Sequence, residues 1–188
     1  MPAPISFIDL SLEGLPQGLN LELEAGMTAL FTTAGEHDIP LLTGILTGEQ
    51  LPLQGSVQFN GVALAELSRS RLHLLRRSTG VVQVNGGLIS NLKLWENITL
   101  PLLFHNGSVP EESRVMIHDY LERFGLGNKL WTLPGHLSQF ERKAVGFIRA
   151  AIIKPRFMFY AGCFDNLPSW EKSCCWNRQC CCTGRLPA

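Results

Sequence analysis

Apolar and polar residues alternate from Ile5 to Asp9 and again from Leu19 to Leu23, the period-two mark of two half-buried strands in an antiparallel pair. Gly26 then turns the chain into MTALFTT, an apolar run of the length of a buried strand. Leu41 to Leu46 reads as the apolar part of a short helix that closes near Gly48. GSVQFNG is a strand bounded by glycines, Glu66 to Arg77 is helical, and GVVQV is a further buried strand. Two helical stretches follow, ISNLKLWENITLPLLFH and PEESRVMIHDYLERFGLG. In the second, Ile117, Tyr120, Leu121 and Phe124 share one face, and Gly125 stands where a helix ends. Ser138 and Glu141 make a capping box that opens LSQFERKAVGFIRAAI, and RFMFYAG is the last apolar strand. Strands alternating with helices, with an extra helical block between two of them, predict an α/β core. Its sheet is expected to be mainly parallel, with an antiparallel β edge and a helical insertion.

Length and composition narrow the classes. A chain of 188 residues suggests one domain, and 45% apolar residues suffice for a core. Basic and acidic residues balance at 16 each, so no positive field recruits nucleic acid, and nucleic-acid partners are not expected. Arg69, Arg71, Arg76 and Arg77 cluster on a short amphipathic stretch and read as a solvated helix face. The opening MPAPISFIDLSLEG has no basic segment followed by an apolar run, so it does not read as a signal peptide. No stretch reaches the roughly 18 apolar residues of a spanning helix. A cytoplasmic protein is expected.

The chemistry concentrates in LFTTAGEHDIPLLTGILTG, Leu30 to Gly48. A short strand, a polar loop around one glycine and an apolar helix are the layout of a phosphate-binding loop. Such a loop is G-x-x-x-x-G-K-[ST]: backbone N–H groups cradle the phosphates, the lysine reaches the β and γ oxygens, and the hydroxyl binds magnesium. Laid on this chain, the glycines fall on Thr32 and His37, the lysine on Asp38 and the hydroxyl residue on Ile39; Gly35 survives inside the loop. Asp38 places a carboxylate at the positive end of the helix, where it can itself be the anion. Pro40 lacks an N–H, suits the first helical position, and pushes Ile39 out of the helical region. A helix end attracts phosphate by up to ~2 kcal/mol. A carboxylate about 4 Å away repels it by on the order of 4 kcal/mol at an effective dielectric of 20.

From about Ile5 to Leu167 the order of elements resembles the nucleotide-binding domain of ABC transporters, a P-loop NTPase-like three-layer core. LQGSVQFNGVAL resembles the strand after the first helix, RLHLLRRSTGVV the lead into the glutamine loop, and NLKLWENITLPL the family's LTVxENVxLPL. LPGHLS and AIIKPRFMFY flank the places of the signature and the second carboxylate motif. The segment NGGLISNLKLWENITLPL is most similar to the lipid-trafficking and solvent-resistance branch. Against that family, the loop glutamine falls on Val84, with Gln83 on the opposite strand face. The signature LSGGQ reads Leu137, Ser138, Gln139, Phe140, Glu141, and the aspartate and glutamate after the last strand are Ala161 and Gly162. Asp165 comes four residues late. Phosphoryl transfer needs a lysine, a metal and carboxylates in position, so no ATPase chemistry and no cofactor are expected.

The resemblance implies a non-catalytic subunit at the inner face of the membrane. Its partners would be a membrane permease subunit and either a competent ABC ATPase or a second copy. Leu88, Leu92, Trp95 and Glu96 are the implied permease contacts, with Trp95 equally suited to the core. An ATPase with atypical motifs, using ATP and magnesium, and a non-functional truncated product are the alternatives. Residues 1–172 carry the family pattern, and 173–188 do not. The tail SCCWNRQCCCTGRLPA holds Cys174, Cys175, Cys180, Cys181 and Cys182 in a spacing that matches no C-x-x-C zinc pair. It reads as the product of a shifted reading frame after Lys172 rather than as a thiolate cluster for a soft metal.

Overall fold

A computed structural model describes residues 4–12, 15–31 and 37–162. The chain forms two compact units, divided in sequence between Arg76 and Arg77.

The first unit carries the antiparallel sheet. Strands β1 (Ile5–Leu12), β2 (Leu15–Leu23), β3 (Ser56–Phe59) and β4 (Val62–Ala63) lie in the order β2-β1-β3-β4. The expected pair is present, with Ile5 opposite Leu23 and Phe7 opposite Leu21. The strand β1 runs past the alternation seen in sequence because its ladder is irregular between Phe7 and Leu10. Ile5 and Phe7 are buried, Ile8 and Asp9 are exposed, and burial resumes at Leu10 and Leu12. The extra residue shifts the inward-facing phase by one, as a bulge does. Asp9 takes a φ of 48°, and its N–H donates to Asn20 Oδ1 at 2.9 Å. Asn60 and Gly61, with φ of 50° and 79°, make the tight two-residue turn that joins β3 to β4.

Three expectations change in this unit. Among the described residues Met27 to Phe31 joins neither sheet; Leu30 is 84% exposed, while the Phe31 ring lies 5.5 Å from that of Phe7. An apolar run signals a wish for burial but names no hydrogen-bonding partner, and this one finds no ladder. Helix α1 (Asp38–Leu46) begins two residues before Pro40, so Ile39 is helical. Helix α2 is Arg69–Arg77, shorter than expected, because Leu64–Glu66 forms its own 3-10 turn and Ser68 Oγ accepts from the Arg71 N–H at 3.4 Å. Its four arginines are exposed, as a solvated face requires.

The second unit pairs β5 (Thr79–Val82) with β6 (Phe157–Tyr160) in parallel, Thr79 opposite Phe157 and Val82 opposite Tyr160. Between them run α3 (Leu94–Asn106), α4 (Glu111–Arg123) and α5 (Gln139–Ala151). Parallel strands need such a crossover, and here it is the helical insertion. The core joins Val82 to Leu94, Ile98 and Leu102 of α3, Ile117 and Leu121 of α4, and Val145 and Ile148 of α5. Phe147 meets Tyr120 and Phe124 edge-on, at 5.9 and 5.8 Å between ring centres. The predicted apolar face of α4 is therefore the buried one. Gly125, at φ 69°, ends that helix, and the Leu126 N–H reaches back to the Leu121 carbonyl at 2.7 Å. Among the described residues no helix is long and apolar enough to cross a membrane.

Candidate functional site

Helix α1 stands where the sequence places the phosphate loop. Its first residue is Asp38, 1% exposed, and His37 before it contributes no side-chain cap. The first helical bond runs from the Leu41 N–H to the His37 carbonyl at 3.0 Å. Pro40 therefore occupies the third position, where its missing N–H would have had no partner inside the helix. That is why the proline does not set the boundary. Thr43 Oγ1 donates to the Ile39 carbonyl at 2.7 Å and braces this first turn. The far end is closed by Arg76, which donates from Nε to the Thr47 carbonyl at 2.8 Å and from Nη2 to the Gly48 carbonyl at 2.9 Å. An acid at the amino end and a guanidinium at the carboxyl end match the helix dipole from both sides. Thr32 and Gly35 lie outside the described residues, as do Cys163, Asp165 and the cysteine-rich tail.

The signature positions open α5. Ser138 Oγ accepts from the Glu141 N–H at 3.2 Å, and Glu141 Oε2 accepts from the Ser138 N–H at 2.9 Å. This is the capping box expected from the sequence. Glu141 also pairs with Lys129. Partial burial raises the Glu141 pKa, but hydrogen bonds from Lys129 and Ser138 and the Lys129 charge more than offset it, leaving the carboxyl below its ordinary value. The Phe140 ring lies 6.4 Å from Phe124, and Leu137 is buried. At the end of β6, the Ala161 N–H donates to the Val82 carbonyl at 2.8 Å. Buried Lys143 donates from Nζ to the Gly162 carbonyl at 3.3 Å.

The strand β5 stops at Val82, so Gln83 and Val84 are not on opposite strand faces; they enter a loop. The Gly86 N–H turns back to the Gln83 carbonyl at 2.8 Å. Arg149 of α5 donates from Nη1 to the Gly87 carbonyl at 2.7 Å and from Nη2 to the Gly86 carbonyl at 3.1 Å. Burial lowers the Arg149 pKa from its usual value. Further on, fully buried Asn97 accepts from the Ile89 N–H at 2.8 Å. It donates to the carbonyls of Ile89 at 3.0 Å and Leu92 at 2.8 Å.

The four implied contact residues follow this loop. Leu88 and Trp95 are half-buried and pack against the core of the second unit. The Arg114 guanidinium lies 5.9 Å from the Trp95 ring centre, and the His118 ring lies 6.2 Å away. Leu92 is half-buried, and exposed Glu96 accepts from the Lys93 N–H at 2.7 Å, which caps α3. Ile89, 41% exposed, was not among the sequence candidates. Neither were Arg149 and Asn97. The one sequence signal for Arg149 is a lone charge inside the apolar run AVGFIRAAII.

The fold defined by these elements is that of the ATP-binding cassettes. It is shared with MJ0796, a bacterial ABC transporter cassette solved as a dimer, at a TM-score of 0.75 and 20% identity, covering 90% of this chain and 78% of that one. It is shared also with cbiO1 of Clostridium perfringens, part of the ABC transporter complex cbiONQ, at a TM-score of 0.70 and 18% identity, covering 92% and 70%. The chain belongs to the ABC transporter family, whose model matches residues 41–160. Among its relatives are the cell division ATP-binding protein FtsE of Haemophilus influenzae, 33% identical over 76% of this chain and 65% of that protein. The lipoprotein-releasing system ATP-binding protein LolD of Pseudomonas syringae is 37% identical over 73% of this chain and 61% of its own length. The chain thus spans less than two thirds of the length of these relatives.

Proposed function

We propose that this chain is an ABC-transporter subunit of the ATP-binding type that has lost nucleotide hydrolysis and acts as a non-catalytic partner in a membrane transport complex. The observation that supports this is Asp38, buried at the first position of α1, where the family's loop carries its lysine. An aspartate there supplies no cation to a phosphate in either protonation state. At the signature positions, the Ser138 and Glu141 side chains are engaged in capping α5. Ala161 and Gly162 offer no carboxylate at the end of β6. Each is an independent loss of transition-state stabilisation.

The partners on this reading are a membrane permease subunit and a second ABC ATPase subunit, competent or identical, at the inner face of the membrane. The similarity to LolD favours a lipid or lipoprotein cargo. Equilibrium dialysis of the intact chain against labelled ATP, with and without magnesium, tests the reading. No saturable binding is expected. Magnesium-dependent saturable binding would overturn it in favour of an ATPase with atypical motifs.

A further inference from the structure

We infer that Met27 is an oxidation site: a hydroperoxide converts its thioether to the sulfoxide, and the turn that Met27 closes passes from a sulfur acceptor to an oxygen acceptor. The turn joins β2 to the run that leads in sequence toward the phosphate-loop positions. The Met27 N–H donates to the Glu24 carbonyl at 3.1 Å. In return the Glu24 N–H donates to Met27 Sδ at 3.5 Å. Gly26 between them takes a φ of 84°, the sign that a type II turn requires at its third residue. A main-chain bond and a side-chain bond thus close the same turn from opposite directions.

A thioether is a weak acceptor, and it is also the group that peroxides oxidise. Access decides which methionine reacts. Met27 is 58% exposed, and a Cβ on neighbouring Gly26 would meet nothing within 4 Å. Met116 and Met158 are half-buried and pack against the core of the second unit. The Met158 sulfur also lies close on β5: a Cβ on Gly80 would be 2.4 Å from it. In the reaction the Met27 sulfur attacks one peroxide oxygen with its lone pair. The S–O bond forms as the O–O bond breaks. Sulfur is oxidised, the peroxide is reduced, and the second oxygen of hydrogen peroxide leaves as water. The product is polar, and its oxygen is a stronger acceptor than the sulfur it replaces. An exposed side chain is free to turn that oxygen toward the Glu24 N–H. Methionine sulfoxide reductases reverse the change. The site goes beyond the transport reading above and requires neither nucleotide nor permease.

Treating the intact chain with graded hydrogen peroxide tests this, with peptide mass mapping and amide hydrogen exchange as the readouts. Met27 is expected to gain oxygen about tenfold or more faster than Met116 and Met158. After oxidation the Glu24 amide is expected to exchange about threefold or more slowly than before. Met27→Leu keeps the bulk and removes the acceptor. It is expected to speed Glu24 exchange by a similar factor and to abolish the effect of peroxide there. Oxidation of Met116 or Met158 as fast as Met27 would overturn the inference. So would a Glu24 amide that is unchanged or faster once Met27 is oxidised, or one that Met27→Leu leaves unmoved.

Discussion

Gly146 of α5 faces Gly86 with no side chain between the two backbones: a Cβ on Gly146 would lie 2.5 Å from the Gly86 carbonyl oxygen. The atoms in the way are main chain, so they cannot rotate aside. Gly146→Ala is expected to destabilise the protein by about 1–3 kcal/mol through overpacking. Gly135, with open space around it, is the control, and Gly135→Ala should stay within about 0.5 kcal/mol. Urea unfolding of the two variants compares them directly; equal midpoints would refute the close approach.

The closed ends of α1 make a second prediction. Removing the guanidinium by Arg76→Ala leaves the Thr47 and Gly48 carbonyls to water and is expected to cost about 1 kcal/mol. Arg77→Ala, at a neighbouring exposed arginine, should change little. Thermal melting of both variants distinguishes an end-capping arginine from a merely charged surface.

Glu141 gives stability a pH dependence of known sign. Its folded pKa is below its ordinary value, so its contribution is complete above the usual glutamate range and is lost as pH falls through the folded value. Glu141→Gln is expected to be less stable than wild type by about 1 kcal/mol near neutrality. The gap between the two proteins should narrow on acidification. A denaturation series over pH that shows a constant gap would refute the assignment.

The bulge in β1 predicts an inverted pair of effects. Leu10 is fully buried, whereas Ile8 is 43% exposed, although unbroken alternation from Ile5 would put both on the outer face. Leu10→Ala is expected to cost about 2–5 kcal/mol and Ile8→Ala under about 1 kcal/mol. Chemical denaturation of the two variants reads the phase of the strand.

Local signals carried most of the elements. The capping box at Ser138 and Glu141 and the apolar face of α4 needed only neighbours three and four residues away, which a sequence displays. Long-range pairing did not show. Met27 to Phe31 has the composition of a strand and, among the described residues, no ladder, because composition carries no pairing information. The start of α1 differs from the expectation because the bias a proline places on the residue before it is a preference, and Ile39 is helical all the same. Arg149 and the loop carbonyls it holds are far apart in the chain, so periodicity could not join them. At the candidate site, Asp38 was legible from its place in the loop pattern. Its burial was not, since burial depends on what folds over it.

The parallel pairing of Thr79 with Phe157 and Val82 with Tyr160 has a kinetic consequence. Bringing such distant segments together costs about 4 kcal/mol of chain entropy before a single ladder bond forms. Collapse of the intervening helices shortens that search, which sets an order of events: helices assemble first, and the strands zip up last. A spectroscopic reporter placed on Tyr160 would therefore lag behind one placed within α4.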